Sequence, residues 1–259
     1  MKDAVRDAFV PFTAKFEGIV PWLYQDVKGL VSIGIGNLVD PIALAMDLPF
    51  VRVSDGRPAT REQIADEWQR VKTQPPDAQG RTAAQLGHLY TKQVTTLRLM
   101  DDGIRKLVAG KLAQNEACLL TGFPDFKDWP ADAQLATLSM AWAVGPAFWE
   151  PRAGRNYWPR LTAALRDQDF RMAAIECFMH EEATISGLRP RNTANRILYT
   201  NAAIVKAMFD PDHLYYPTDL EAGPQTDRPP TIRDFVIVHP RVPLRGDPEN
   251  DDDPDPEAA

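Results

Sequence analysis

The apolar residues of the first segment recur at the spacing of a helix with 3.6 residues per turn. They are Val5, Ala8, Phe9, Phe12 and Phe16. The pattern predicts an amphipathic helix from Ala4 to Phe16. Gly18 follows shortly afterwards, and glycine is the residue type best suited to end a helix. We therefore expect a change of structure at this position.

Helical spacing is lost from Trp22 to Asn37. β-branched and aromatic residues alternate there with turn-forming residues, which are Pro21, Gly29, Gly34 and Gly36. Short runs of this kind bounded by glycine predict strands and tight turns. We expect a small β-hairpin directly after the first helix.

The remaining segments return to helical patterns. Thr60 and Gln63 form the sequence signature of a capping box at the start of a helix from Thr60 to Val71. A strongly apolar stretch, Asp132 to Val144, predicts a central buried helix. The other predicted helical segments are 81–108 (in one piece or two), 158–165, 170–182 and 192–209. The fold class is therefore α+β, mostly helical with a small β-hairpin lobe after the first helix.

Charge divides the chain into two parts. The net charge is -7, but residues 210–259 hold 13 Asp and Glu against 4 Arg, while residues 1–209 are close to neutral. We predict a globular domain over 1–209 and a Pro- and Asp-rich acidic extension over 210–259, disordered at its end. One apolar island, Ile232 to Val238, could form a strand or an extended segment docked on the domain. A near-neutral body gives no indication of a nucleic-acid partner.

The sequence gives no indication of a disulfide scaffold, a membrane span or a secretory signal. Cys118 and Cys177 are too few for a disulfide scaffold; they could form a single bridge, but we expect two reduced, buried thiols. No apolar run reaches the roughly 18 residues of a membrane span. Met1 to Asp7 carries four charged residues and no apolar stretch, which predicts synthesis in the cytoplasm without a secretory signal and no stable membrane insertion.

Three polar residues around the predicted hairpin suggest chemistry. Glu17 ends the first helix, Asp26 follows nine positions later, and Ser32 lies on the hairpin itself. A carboxyl group at a helix C-terminus faces the negative end of the helix dipole, which favours the protonated form that a general acid needs. Two carboxyl groups in different environments are the usual equipment for hydrolysing a glycosidic bond. A hydroxyl at Ser32 could hold the attacking water.

These residues stand within a longer pattern. It comprises Glu17-Gly18, Tyr24-Gln25-Asp26, Gly29 and Ser32-Ile33-Gly34-Ile35-Gly36. The pattern resembles that of the phage-type lysozymes, glycoside hydrolase family 24. A weaker similarity continues through Ala131 to Gly145 and through Gly187 to Leu198, so the resemblance covers roughly residues 5–208. Asn37 stands where the family usually has His, and Ser32 where it usually has Thr.

The resemblance implies a lysozyme-like fold and muramidase activity, the hydrolysis of β-1,4 bonds between N-acetylmuramic acid and N-acetylglucosamine in peptidoglycan, without metal or cofactor. It makes Glu17 the general acid and Asp26 the second carboxylate. An arginine near the catalytic acid is expected from the last segment, with Arg191 the first candidate and Arg196 the second. Tyr157 and Trp158 are candidates for lining the glycan cleft.

The late segments also resemble a bacterial subgroup of these lysozymes that is associated with antibacterial effectors, often of the type VI secretion system. That origin would imply delivery to the periplasm and a periplasmic immunity protein as inhibitor. A separate hypothesis is that the tail, residues 210–259, is an interaction module that docks a partner such as a secretion spike or a secretion-machine adaptor. A phage endolysin released through a holin fits the sequence equally well.

Other interpretations stay open at this stage. Glu17 taken alone could be a solvated acid, and Arg191 and Arg196 could form surface pairs. A lysozyme-fold protein without turnover could bind glycan or serve as a structural component of a phage or secretion machine. The four histidines are widely spread, and His180-Glu181-Glu182 is not a zinc-protease motif.

Overall fold

The computed structural model describes residues 1–151, 157–180 and 188–221. Within these ranges the protein is α+β, mostly helical, with a small antiparallel sheet after the first helix, as predicted. Several predictions fall outside the described residues. They concern the apolar island Ile232 to Val238, the disorder of the tail end, and residues 181–182 of one predicted helix.

Helix α1 spans Asp3–Glu17 and confirms the first predicted helix. It ends because Gly18 adopts a positive φ of 70°, while its N–H still bonds to the carbonyl of Ala14. A left-handed backbone of this kind suits glycine, which has no Cβ to clash. The helix buries the side chains of Val5, Phe9 and Phe12 and delivers Glu17 to its C-terminus.

The predicted hairpin is a three-stranded antiparallel sheet in the order β1–β2–β3. The strands are β1 (Val20–Gln25), β2 (Val31–Gly34) and β3 (Asn37–Leu38). Ser32 in the middle strand pairs with Tyr24 on one side and with Leu38 on the other. The core face of the sheet carries Leu23, Ile33 and Ile35, all fully buried.

Helix α2 (Arg61–Lys72) confirms the capping box, since Thr60 and Gln63 exchange both hydrogen bonds. The other end of α2 supports the sheet. The Gln25 side-chain amide donates to the carbonyls of Val71 and Lys72, which are otherwise unpaired at a helix C-terminus.

Lys72 of α2 contacts the sheet at two places, through a salt bridge to Asp40 after β3 and a hydrogen bond to Gly29 in the β1–β2 turn. Lys72 Nζ lies 2.7 Å from Asp40 Oδ2 and 3.0 Å from the carbonyl oxygen of Gly29. The same Asp40 oxygen accepts from the N–H of Val31. The hydrogen bond from Lys72 lowers the pKa of Asp40 below its ordinary value. The small sheet is therefore held firmly against the body of the protein.

The segment 81–108 is helical over most of its length, as predicted, but a strand interrupts it. Only two short helices, α3 (Ala83–Leu86) and α4 (His88–Lys92), precede strand β5 (Leu97–Leu99), which pairs antiparallel with β4 (Phe50–Arg52). The carboxylate of Glu67, which is buried on α2, accepts hydrogen bonds from the backbone N–H groups of Thr96 and Leu97 at the start of β5. A tertiary contact thus outweighs local helix propensity. Helix α5 begins only at Asp101 and runs to Gly122.

The helical core is centred on α6 (Ala131–Val144), which has buried side chains on every face over its first eleven residues. Around it lie α7 (Pro159–Arg166), α8 (Phe170–Glu176) and α9 (Leu188–Met208). Two 3-10 helices, Ile42–Leu44 and Pro124–Asp128, connect elements. The structure ends α8 at Glu176, before the predicted 182, and begins α9 four residues before the predicted Asn192.

Residues beyond α9 return to the core. The buried Asp132 carboxylate accepts the backbone N–H groups of Tyr215 and Tyr216 and the side-chain amide of Asn201. The same amide donates to the carbonyl of Thr218. Residue 210, where the sequence analysis placed the start of the acidic extension, is therefore followed by about ten residues that pack against α6 and α9.

Cys118 and Cys177 do not form a disulfide with each other; Cys177 is fully buried, whereas Cys118, predicted to be buried, is partly exposed. Burial raises the pKa of the Cys177 thiol to about 12, which keeps it protonated and unreactive. Among the described helices, none has both the length and the apolar character needed to cross a membrane.

Candidate active site at the end of the first helix

Glu17 is paired with Arg191 across the molecule. The Arg191 Nη2 group donates a charged hydrogen bond to Glu17 Oε1, and Nη1 donates to the carbonyl of Ser139 in α6 at 3.2 Å. The Arg191 side chain is 1% exposed, whereas that of Glu17 is 35% exposed. A buried cation therefore holds an acid that is still open to solvent.

The burial of Arg191 follows from how α9 packs. Its guanidinium centre lies 5.0 Å from the ring centroid of Phe16, and α9 packs closely along α6. Burial lowers the pKa of the guanidinium, and the opposite charge of Glu17 counteracts this effect. Since arginine stays charged in proteins, the pair fixes the direction in which the Glu17 carboxylate points.

The second oxygen of Glu17 faces the turn between β2 and β3. A Cβ atom at Gly36 would lie 3.9 Å from Glu17 Oε2, and Gly36 has a φ of 81°. The turn is anchored by Trp142 of α6, whose indole N–H donates to the carbonyl of Ile35 at 3.1 Å. Glycine at position 36 thus lets the backbone pass close to the acid. Trp142 lies in the segment predicted as the central buried helix; it is partly buried, and its ring centroid lies 5.2 Å from that of Phe9, with the two rings tilted.

Asp26 lies in the β1–β2 turn. Its Oδ1 atom accepts the backbone N–H groups of Lys28 at 2.8 Å and Leu30 at 2.9 Å. The side chain is partly exposed. This pattern is an Asx turn, a common local role of aspartate, and it leaves Oδ2 available for other partners.

Tyr24 links the two acids electrostatically. Burial, with smaller contributions from the charges of Glu17 and Asp26, raises the pKa of the Tyr24 phenol to about 12. Both carboxylates therefore lie close enough to the Tyr24 phenol for their charges to act on it.

Ser32 is buried in β2, directly beside Tyr24 in the antiparallel register. The structure therefore groups Glu17, Asp26 and Ser32 around one small sheet, with Arg191 behind Glu17. Sequence reasoning missed the Ser139 carbonyl that anchors Arg191 and the Lys72–Asp40 bridge that fixes the sheet. Both depend on contacts between distant segments, for which a single sequence carries no pattern.

Three other candidates lie elsewhere. Arg196 lines a groove between α8 and α9. Tyr157 and Trp158 line an adjoining surface depression of about 510 Å³ beside α7 and α8, which shares Ile175 and Phe178 with that groove, and the Trp158 indole donates to the carbonyl of Phe178 at 3.2 Å. No described contact joins any of the three to Glu17. Within the residues that the structure describes, no three histidine, cysteine or acidic side chains are grouped as metal ligands would be.

The sequence matches no protein-family model and no functionally curated protein. The geometry around Glu17 and the sequence pattern that contains it are therefore the basis for assigning a function.

Proposed function

We propose that the protein is a peptidoglycan N-acetylmuramidase with Glu17 as its general acid. The observation that carries the proposal is the pairing of a solvent-accessible acid with a buried arginine at the C-terminus of α1. Burying an arginine beside an accessible carboxylate is costly, and a surface acid with no function would not need it. The arrangement suits an acid that must point in one direction.

In this mechanism Arg191 binds Oε1 of Glu17, so the proton for the leaving group is on Oε2, which faces the β2–β3 turn. Oε2 donates that proton to the glycosidic oxygen as the bond breaks. Asp26 supplies the second carboxylate, which stabilises positive charge on the sugar ring or activates water. Ser32 helps to position that water.

The direct test is hydrolysis of purified peptidoglycan by the wild type and by Glu17→Gln, with released muropeptides measured by mass spectrometry. General acid catalysis contributes roughly 10²- to 10⁴-fold, so we expect a loss of at least about 100-fold. Glu62→Gln, the same change at an exposed position on α2, is the matched control and should be fully active. Equal muropeptide release by wild type and Glu17→Gln would remove Glu17 from the mechanism.

The alternative, a lysozyme-fold protein that binds glycan without cleaving it, is favoured by one observation. The Asx turn explains Asp26 without any catalytic role. Cosedimentation with peptidoglycan, without release of muropeptides by the wild type, would support this alternative.

The proposed activity requires delivery to the cell wall, either as an antibacterial effector or as a phage endolysin. An effector would have a periplasmic immunity protein as inhibitor and an adaptor for secretion. Expression directed to the periplasm tests this step: the wild type should lyse the host cells, and Glu17→Gln should not.

A further inference from the structure

A row of aromatic side chains leads from the candidate active site across β1 to helix α4. It begins at Tyr24, which pairs with Ser32 in the antiparallel register. The charges of Glu17 and Asp26 both act on the Tyr24 phenol. The next member is His88, the first residue of α4, whose ring centroid lies 6.2 Å from that of Tyr24. The row therefore connects the two acids to α4.

Two cations lie over the last ring of this row, which belongs to Trp22. The Trp22 centroid is 5.8 Å from that of His88, and the indole N–H donates to the His88 carbonyl at 2.9 Å. Lys92 Nζ lies 4.9 Å from the Trp22 centroid, and the guanidinium carbon of Arg98 lies 5.1 Å from it. Arg98 Nη1 also donates to the carbonyl of Leu97 at 2.6 Å, which fixes the guanidinium in place.

The two cations differ in what offsets their charge. Burial lowers the pKa of the Arg98 guanidinium, and the opposite charge of Glu67 counteracts this effect. Lys92 is exposed and contacts an indole ring, which attracts a cation without cancelling its charge. Lys92 therefore keeps a positive charge that an anion in solution can approach.

The acids at one end of the row and Lys92 at the other favour different parts of peptidoglycan. Its stem peptides carry free carboxylates, whereas its sugar backbone offers hydroxyl and acetamido groups. Since like charges repel, Glu17 and Asp26 disfavour a stem-peptide carboxylate beside them. Lys92 attracts such a carboxylate at the far end of the row.

We propose that Lys92, with Arg98 beside it, binds a stem-peptide carboxylate of the peptidoglycan strand whose sugars lie at Glu17. The choice of ligand rests on the proposed function. In this arrangement Lys92 determines specificity: it raises the affinity for strands that carry peptides and takes no part in the hydrolytic step.

Binding to Glu17→Gln, which leaves the glycan intact, tests the proposal by isothermal titration calorimetry. The probes are soluble, uncross-linked glycan strands with acetylated amino groups, before and after conversion of their carboxylates to amides. We expect adding Lys92→Met to raise the Kd of the untreated strands about fivefold and to leave the Kd of the amidated strands unchanged. Lys92→Arg should restore tight binding. Lys111→Met, the same change at an exposed position of α5, is the matched control and should bind both probes like its parent.

Three results would overturn the proposal. They are an unchanged Kd for untreated strands in Lys92→Met, an equal rise for untreated and amidated strands, and no binding of the untreated strands to the parent protein. An equal rise would show that Lys92 contacts the sugars or only supports the fold. If this binding pattern is found but the wild type releases no muropeptides, the muramidase proposal fails while the present inference stands.

Discussion

Two carboxyl groups beside the same helical core differ in burial and in the charge of their hydrogen-bond donors. Asp132, at the start of α6, is completely buried, and its hydrogen bonds come from neutral N–H groups of Asn201, Tyr215 and Tyr216. Glu17, at the end of α1, is about one-third exposed and is bound by the buried guanidinium of Arg191. One site buries the acid, and the other buries the cation.

The difference in burial distinguishes a carboxyl group that organises the backbone from one that a substrate can reach. A buried acid can organise the backbone around it, as Asp132 does for the segment after α9, but no substrate can reach it. A buried cation leaves its acid accessible while fixing its orientation. The predictions below test this contrast through the free energy of unfolding and, at the Glu17 site, through activity.

The largest loss of stability is expected from Asp132→Ala. It leaves the buried N–H groups of Tyr215 and Tyr216 without acceptors, and each unsatisfied group costs about 1–3 kcal/mol. We expect the free energy of unfolding to fall by about 4 kcal/mol in urea titrations. Asp125→Ala, at an exposed nearby position, should change it by less than about 0.5 kcal/mol. A loss below 1 kcal/mol for Asp132→Ala would show that this carboxyl group does not organise the segment.

Stability should also depend on pH through Asp132. Burial raises its pKa in the folded state to about 6, above the ordinary value of 3.8. The folded state therefore binds this proton more tightly, and the resulting stabilisation is complete below about pH 4 and disappears as the pH rises through 6. The wild type should lose up to about 3 kcal/mol more than Asp132→Asn between pH 4 and pH 7. Parallel pH profiles of the two proteins would contradict this expectation.

Arg191→Met should lower the free energy of unfolding by about 2 kcal/mol. Breaking a fully buried pair costs about 3–5 kcal/mol, but Glu17 is partly exposed and can be hydrated. Hydrolysis should fall at least tenfold because the acid loses its orientation. Arg196→Met, the same change on the same helix, should leave hydrolysis unchanged.

A double-mutant cycle with Glu17→Gln distinguishes positioning from packing. If Arg191 acts through Glu17, the two losses of activity will not add. Additive losses would show that Arg191 acts only through the packing of α9.

The smallest change in stability is expected for Asp26→Asn. The amide oxygen retains the two backbone hydrogen bonds of the turn, so the free energy of unfolding should change by less than about 0.5 kcal/mol. If the carboxylate takes part in catalysis, hydrolysis should nevertheless fall at least tenfold. Unchanged hydrolysis would leave Asp26 with only the structural role that the alternative function assigns to it.

Much of the local structure could be predicted because its causes lie within a few residues. The apolar period of α1, the stop at Gly18 and the capping box at Thr60 each depend on neighbours in sequence. Strand β5 could not be predicted in the same way. Leu97-Arg98-Leu99 becomes a strand because Phe50–Arg52 and the carboxylate of Glu67 supply its hydrogen bonds from elsewhere in the chain.

For the candidate site, the sequence by itself determined which acids stand at a helix end and in a hairpin, since both depend on short-range periodicity and turn residues. Only the tertiary structure decided that Arg191 and not Arg196 contacts Glu17, across 174 positions of sequence. It also decided that Asp132 binds the segment after α9. Both arginines carry the same charge in the same helix, and helix packing alone determines which of them is buried against α6.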